Sequence, residues 1–130
     1  MKDMMRKVEI CAQASKECSD GQFIICARTD AKGVEGIQAT IDRSKAYIDS
    51  GADMIFPEGL ATLDEFNHVA TELRKHKSDV FLLANMTEFG KTEIINFDDF
   101  QKIGYSCVIY PVSTMRVAMQ AVDKFLGDLK

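Results

Sequence analysis

Long apolar stretches are missing from this sequence, and no run approaches the roughly 20 residues that a membrane-spanning helix needs. The charged N-terminal residues lead into no apolar segment typical of a signal peptide. We therefore expect a cytoplasmic protein, with the mitochondrion as the alternative if a longer precursor exists. Basic clusters are also missing: 16 basic residues stand against 20 acidic ones, a net charge of −4. These absences predict no membrane and no nucleic acid among the partners.

Short metal-binding and phosphate-binding motifs are missing as well. The four cysteines form no C-x-x-C pair, neither histidine stands at metal-ligand spacing to them, and no G-x-x-x-x-G-K loop occurs. The pattern therefore predicts no metal site and no disulfide framework. We expect the cysteines to be small buried hydrophobic residues: Cys11, Cys18, Cys26 and Cys107.

Alternating strand and helix patterns fill the sequence. The 130 residues are 46% hydrophobic and 28% charged, which predicts one globular domain over residues 1–130. Apolar runs typical of buried strands lie at residues 23–27, 54–56, 80–84 and 106–110. Segments with helical periodicity separate the runs, and another helix, residues 3–18, precedes the first. Strand followed by helix, repeated four times, predicts an α/β fold with a parallel sheet.

Helix starts are visible in three places. Thr62 and Glu65 have the spacing of a capping box, and either Thr92 or Asn96 is expected to cap a short helix that ends near Gly104. Ser113 is expected to cap the last helix. That helix has an apolar stripe that we expect to be buried: Val117, Ala118, Ala121, Val122 and Phe125.

Closure of the predicted sheet is the difficulty. A (β/α)8 barrel takes about 250 residues, and this chain has about half that number. Four parallel strands alone would leave two open edges and one sheet face without cover. The fold is therefore either a small open sheet with extra cover or half of a barrel.

Polar residues continue the strand faces at their carboxyl ends, the end where parallel α/β folds bind ligands. By strand alternation these are Arg28, Glu58, Asn85 and Thr87, and Arg116 follows the fourth strand. Two arginines with neutral donors and a carboxylate suit a small polycarboxylate. The alternative is an Arg28–Glu58 ion pair at the sheet rim that binds no ligand, and Asp30 remains a further candidate.

Five motifs in this order resemble the isocitrate lyase and phosphoenolpyruvate mutase superfamily, most of all its 2-methylisocitrate lyases. They are residues 27–31 (ARTDA), 34–36 (VEG), 51–58 (GADMIFPE), 83–90 (LANMTEFG) and 110–113 (YPVS). The resemblance implies a TIM-type (β/α)8 barrel that cleaves a carbon–carbon bond in a tricarboxylate, giving pyruvate and succinate, with Mg²⁺ at the hydroxy-acid end. It implies that this chain is a (β/α)4 half-barrel, equivalent to strands five to eight and preceded by one helix.

The same resemblance assigns substrate contacts residue by residue. The family's active-site arginine falls on Arg28, its substrate-contacting glutamate on Glu58, and the arginine after its last strand on Arg116. The family's Asn-x-Thr carboxylate cradle falls on Asn85, Met86 and Thr87.

Two family motifs have no counterpart in this sequence: the metal-binding Asp-x-Asp and the Lys-Lys-Cys-Gly-His loop. We therefore name no catalytic residue and no direct Mg²⁺ ligand, and expect a truncated half-barrel that is inactive alone. The expected partners are a small tricarboxylate and either a second copy or a complementary N-terminal half-barrel. Two alternatives stay open: a relative that acts on isocitrate, oxaloacetate or phosphonopyruvate, and a non-catalytic binding or assembly module.

Overall fold

Four parallel strands form the sheet in a computed structural model, which describes residues 1–129. The strands are β1 (Cys26–Thr29), β2 (Met54–Pro57), β3 (Phe81–Asn85) and β4 (Cys107–Ile109). They lie side by side in chain order, β1-β2-β3-β4, as the successive β/α units of a barrel do. The predicted α/β half-barrel is therefore confirmed, although β1 begins three residues later than the apolar run at residues 23–27.

Helices precede, connect and follow the strands. They are α1 (Lys2–Ser19), α2 (Lys32–Glu35), α3 (Ile37–Asp49), α4 (Leu63–His76), α5 (Phe97–Lys102) and α6 (Ser113–Asp128). Helix α1 precedes the first strand as expected, and two helices rather than one follow β1. Within residues 1–129, none of these helices combines the length and apolarity that crossing a bilayer requires.

The hydrophobic core lies between the sheet and the helices. Strand residues Ala27, Ile55 and Leu82 are at most 1% exposed, because their side chains alternate towards the helices. An aromatic cluster closes the core beside α5: the rings of Phe66 and Phe100 meet edge to face at a centroid distance of 5.0 Å, and Tyr105 packs on both. Burial raises the pKa of Tyr105 well above its ordinary value.

Side-chain caps begin two of the helices at the expected residues. The Thr62 hydroxyl accepts a hydrogen bond from the Glu65 amide at 3.3 Å, and the Glu65 carboxylate accepts one from the Ala61 amide at 2.8 Å. Asn96, rather than Thr92, caps α5 by accepting from the Asp99 amide at 3.0 Å. Both caps satisfy backbone donors that helices leave unpaired at their start.

The opposite face of the sheet, which we call the inner face, has no such cover from residues 1–129. Cys26, Met54 and Phe81 are register partners across β1, β2 and β3, so their side chains share this face. Phe81 is 45% exposed, and Ile24, just before β1, is 51% exposed. Large apolar side chains thus remain in contact with water where a closed barrel would bury them.

Helix α6 overturns two expectations. Its apolar stripe, represented by Val117 and Phe125, is exposed, because no element of residues 1–129 packs over it. Ser113 does not cap the helix: the N-cap position is Val112, and the Ser113 hydroxyl instead bonds the Glu88 carboxylate. The periodicity correctly identified a helix but not what would cover it.

The cysteines are also not the buried residues that we expected. Cys11, Cys18 and Cys26 are exposed, and Cys107 is half-buried. Cys26 and Cys107 belong to the inner face, so the missing cover leaves them accessible. Partial burial, with a smaller contribution from Cys107, nevertheless raises the pKa of the Cys26 thiol.

Candidate functional site

The carboxyl ends of the strands bring four of the expected site residues to one rim of the sheet. Arg28 lies in β1, Glu58 directly follows β2, Asn85 ends β3 and Thr87 comes two residues later. Parallel strands end at the same edge, and alternation points Arg28 and Asn85 away from the helix-facing core. We call this set, Arg28, Glu58, Asn85 and Thr87, the polar rim.

Glu58 connects the polar rim across three strands. Its Oε2 lies 3.6 Å from Arg28 Nη1 and 3.4 Å from Asn85 Nδ2. The Thr87 hydroxyl in turn donates to Asn85 Oδ1 at 3.0 Å, which orients the amide. These are long or neutral contacts between half-exposed groups, so each stabilises the fold only slightly. The ion pair between Arg28 and Glu58 that we considered is present, and it leaves both groups accessible.

Asp30 joins this rim through Arg28. The guanidinium donates from Nε and Nη2 to the two Asp30 oxygens at 2.9 and 2.7 Å, a bidentate pair. This contact raises the pKa of Arg28 and holds the pKa of Asp30 below its ordinary value. The Phe56 ring lies 4.9 Å from the Arg28 guanidinium carbon and supports its flat face. These contacts hold the positively charged guanidinium of Arg28 in one orientation.

Arg116 lies in a neighbouring cluster, on the first turn of α6. Its Nη1 donates to the Glu88 carboxylate at 3.1 Å and to the Glu88 backbone carbonyl, while Ser113 bonds the other carboxylate oxygen. The Ser113 hydroxyl, followed by the Glu88 backbone amide and Arg116, holds the pKa of Glu88 below its ordinary value. Glu88 follows Thr87 directly, so this cluster continues the polar rim towards β4.

Two residues differ from the sequence-based site. Met86 was expected in the carboxylate cradle, but its side chain is 5% exposed and packs in the core, because it alternates with Asn85 and Thr87. Glu88 was not among the expected residues, although it is a charged residue just past a strand end. That position was the available signal, and its contact with α6 could not be derived from local pattern.

The Mg²⁺ that the resemblance implies does not fit the residues of this chain. Within residues 1–129 no three His, Cys, Asp or Glu side chains come together as a metal site. Mg²⁺ prefers octahedral oxygen coordination, and of the nearby carboxylates Asp30 is paired with Arg28 and Glu88 with Arg116. Glu58 by itself cannot supply the several oxygen ligands that Mg²⁺ needs, so we assign no reaction step to the metal.

The similarity of this chain to a known protein family agrees with its fold. The profile of the phosphoenolpyruvate phosphomutase family matches residues 1–130, the whole chain. This chain belongs to that family. Members with solved structures have the same architecture: a 2,3-dimethylmalate lyase of the PEP mutase/isocitrate lyase superfamily superimposes with a TM-score of 0.85 at 26% identity, over 96% of this chain and 42% of that one. An oxaloacetate acetylhydrolase gives 0.82 at 25% identity, over 94% and 41%.

Curated relatives within the family are more similar in sequence. A probable 2-methylisocitrate lyase of Corynebacterium glutamicum is 49% identical over 127 residues, which are 98% of this chain and 39% of the relative. The 2-methylisocitrate lyase of Bacillus subtilis is 43% identical over 130 residues, 100% of this chain and 40% of the relative. The chain thus spans about two fifths of the length of the curated relatives that it matches.

Proposed function

We propose that this chain is the carboxylate-binding half of a carbon–carbon lyase of the 2-methylisocitrate lyase type, equivalent to strands five to eight of the family barrel. The observation that carries the proposal is the polar rim, in which Arg28, Glu58, Asn85 and Thr87 are linked by successive contacts at the ends of three strands. Similarity to 2-methylisocitrate lyases over nearly the whole chain supports the same proposal.

Each residue of the polar rim, and Arg116 beside it, has a role that its chemistry suits. Arg28 and Arg116 bind carboxylates of the substrate, because a guanidinium stays charged and presents parallel N–H donors. The second N–H of the Asn85 amide donates to a carboxylate, and Thr87 fixes the orientation of that amide. Glu58 accepts a hydrogen bond from a substrate hydroxyl. We leave the Met86 side chain out of the site because of its burial.

We propose that the chain does not turn over substrate by itself. Cleavage of a 2-hydroxy acid requires a base for the hydroxyl proton and an electrophile that stabilises the enolate formed. The polar rim offers binding groups for carboxylates and a single carboxylate at its centre, Glu58. The remaining catalytic groups would come from the part of the barrel that this sequence does not contain.

The partner that we propose is therefore a complementary (β/α)4 half, either in the same polypeptide or in another chain. The uncovered inner face and the two unpaired edge strands, β1 and β4, support this proposal, because a closed barrel buries such a face and leaves no edge. We place the protein in the cytoplasm, since four free cysteines suit a reducing compartment.

A titration of the purified chain with carboxylates tests the proposed function. We expect 2-methylisocitrate and succinate to shift backbone amide resonances at residues 28, 58, 85 and 87, and the diamide of succinate to shift none. Arg28→Gln should weaken binding by about tenfold or more, because a charge-assisted contact is lost. Arg6→Gln is the matched control, since among residues 1–129 Arg6 pairs only with the exposed Glu9 on α1.

Several outcomes would contradict the proposal. Unchanged affinity of Arg28→Gln, or equal shifts with the diamide, would show that the rim does not recognise carboxylates. Stronger binding of dicarboxylates than of the tricarboxylate would favour a relative of the dimethylmalate or oxaloacetate type. Turnover of 2-methylisocitrate by the isolated chain with Mg²⁺, at an ordinary enzyme rate, would refute its inactivity.

A further inference from the structure

The two arginines of the site are held in different ways. Arg28 uses Nε and Nη2 for Asp30 and directs Nη1 towards Glu58, so all three nitrogens face carboxylates. The side-chain hydrogen bonds of Arg116 to residues 1–129 all leave from Nη1 and end on Glu88. The edge of Arg116 formed by Nε and Nη2 carries no such bond within the described chain. A carboxylate can therefore bind that edge bidentately without displacing a residue.

Three contacts fix the orientation of that edge. Glu88 receives Nη1 on both its backbone carbonyl and its side-chain carboxylate. Ser113, one turn before Arg116 on α6, bonds the second Glu88 carboxylate oxygen and so prevents the carboxylate from turning away. The ring of Phe89 lies 5.1 Å from the guanidinium carbon. We call Glu88, Phe89 and Ser113 the arginine clamp.

We propose that Glu88 is a positioning residue: it holds Arg116 by one nitrogen so that the opposite edge of the guanidinium receives the second carboxylate of the ligand. The inference rests on the proposed function, because it assumes that the ligand carries at least two carboxylates. Arg28 receives one of them through the N–H groups that Asp30 leaves free, and the Nε–Nη2 edge of Arg116 receives the other. Glu88 touches no ligand in this arrangement and acts only through Arg116.

The clamp has a particular role because α6 is otherwise poorly held. No residue of α6 is buried in the structure, so packing does not fix where its first turn lies. Arg116 is 40% exposed and would sample many rotamers without a partner. A residue from the loop after β3 that binds Arg116 therefore places this side chain relative to Asn85 and Thr87.

An opposite role for Glu88 makes the opposite prediction. If its carboxylate competed with the ligand for Arg116, removing it would strengthen binding. The geometry argues against competition, because Glu88 uses Nη1 alone and leaves the Nε–Nη2 edge unoccupied. The sign of the effect of Glu88→Ala thus separates positioning from competition.

The experiment compares succinate with acetate as ligands of the full chain. We expect Glu88→Ala to weaken succinate binding by about tenfold, since strong charge-assisted bonds orient the arginine, and to leave unchanged the weaker acetate binding that the backbone amide resonance of residue 28 reports. Glu88→Gln retains an acceptor oxygen and should restore part of the loss. Glu9→Ala, on exposed α1, is the matched control. A merely structural defect would lower the affinities for both ligands together.

A second measurement does not depend on binding. The Arg116 side-chain Nε–H resonance should report a restrained guanidinium in the parent chain and a mobile one in Glu88→Ala. An unchanged Nε–H resonance, or stronger succinate binding by Glu88→Ala, would overturn the positioning role. If Arg28→Gln abolishes succinate binding while Glu88→Ala has no effect, only this inference fails. If the parent chain binds no carboxylate, the proposed function fails, and the Nε–H resonance still decides whether Glu88 restrains Arg116.

Discussion

The two faces of the β-sheet differ sharply in burial, although the same strands form both. Leu82 and Phe81 are neighbours in β3, yet Leu82 is 0% exposed and Phe81 is 45% exposed. Helices α3, α4 and α5 cover the first face, while no part of residues 1–129 covers the second. The contrast shows that the (β/α)4 unit builds the core between sheet and helices from its own sequence, whereas residues 1–129 leave the inner face exposed.

The difference between the faces should be largest in the free energy of unfolding. Leu82→Ala is expected to cost about 2–5 kcal/mol, because it removes buried methyl groups and leaves a cavity. Phe81→Ala removes a larger side chain, yet should cost about 0.5 kcal/mol or less, since its ring is already half in water. Urea unfolding followed by circular dichroism measures both variants.

Equal losses of stability in these two variants would contradict the expected difference between the two faces. They would show that the inner face is covered in solution and that Phe81 is part of a closed core. If Phe81→Ala lost more stability in the presence of a complementary half-barrel than without it, the result would show that barrel closure buries the Phe81 ring.

The exposed stripe of α6 should appear as association. We expect light scattering to show a mass that rises with concentration, because exposed apolar surface of this kind favours burial against a second body. Phe125→Ser should move the transition to about tenfold higher concentration or more, given about 1.5–3 kcal/mol for burying such a side chain. Gln120→Ser on the same helix is the control. A parent chain that stays monomeric at every concentration would contradict this expectation.

The smallest expected difference concerns the helix starts. Thr62→Ala removes the cap of α4, a helix that packs on the sheet, and should lower the free energy of unfolding by about 1 kcal/mol. Ser113→Ala on α6 removes no cap, because the hydroxyl bonds Glu88 instead, and thermal unfolding should barely change. A comparable loss of stability for Ser113→Ala would mean that Ser113 stabilises α6 directly.

Local signals in the sequence predicted the helix starts, the positions of the polar rim residues and the sheet topology. The spacing of Thr62 and Glu65 identified the start of α4, and Asn96 the start of α5, because capping involves residues only three apart. Strand alternation placed Arg28, Glu58, Asn85 and Thr87 at one rim for a similar reason. The chain order of β/α units then left the parallel sheet as the simplest topology.

The inner face and helix α6 were predicted less well, because periodicity shows that a face is apolar but not what lies against it. The stripe on α6 and the inner-face cysteines Cys26 and Cys107 were expected to be buried on that ground. Met86 entered the site through a family motif, although alternation between Asn85 and Thr87 already placed it on the core side. Glu88 was missed because its partners, Ser113 and Arg116, lie about 25 residues further along the chain.

Arg116 is the one residue assigned to the site that is carried by α6, and this has a consequence for regulation by assembly. Under the proposed function, a body that docked on the exposed stripe of α6 would also set the position of that helix's first turn, and with it the second carboxylate contact. Docking and ligand affinity are then thermodynamically linked. A bound acid would tighten the docking by the same factor by which docking tightens the acid.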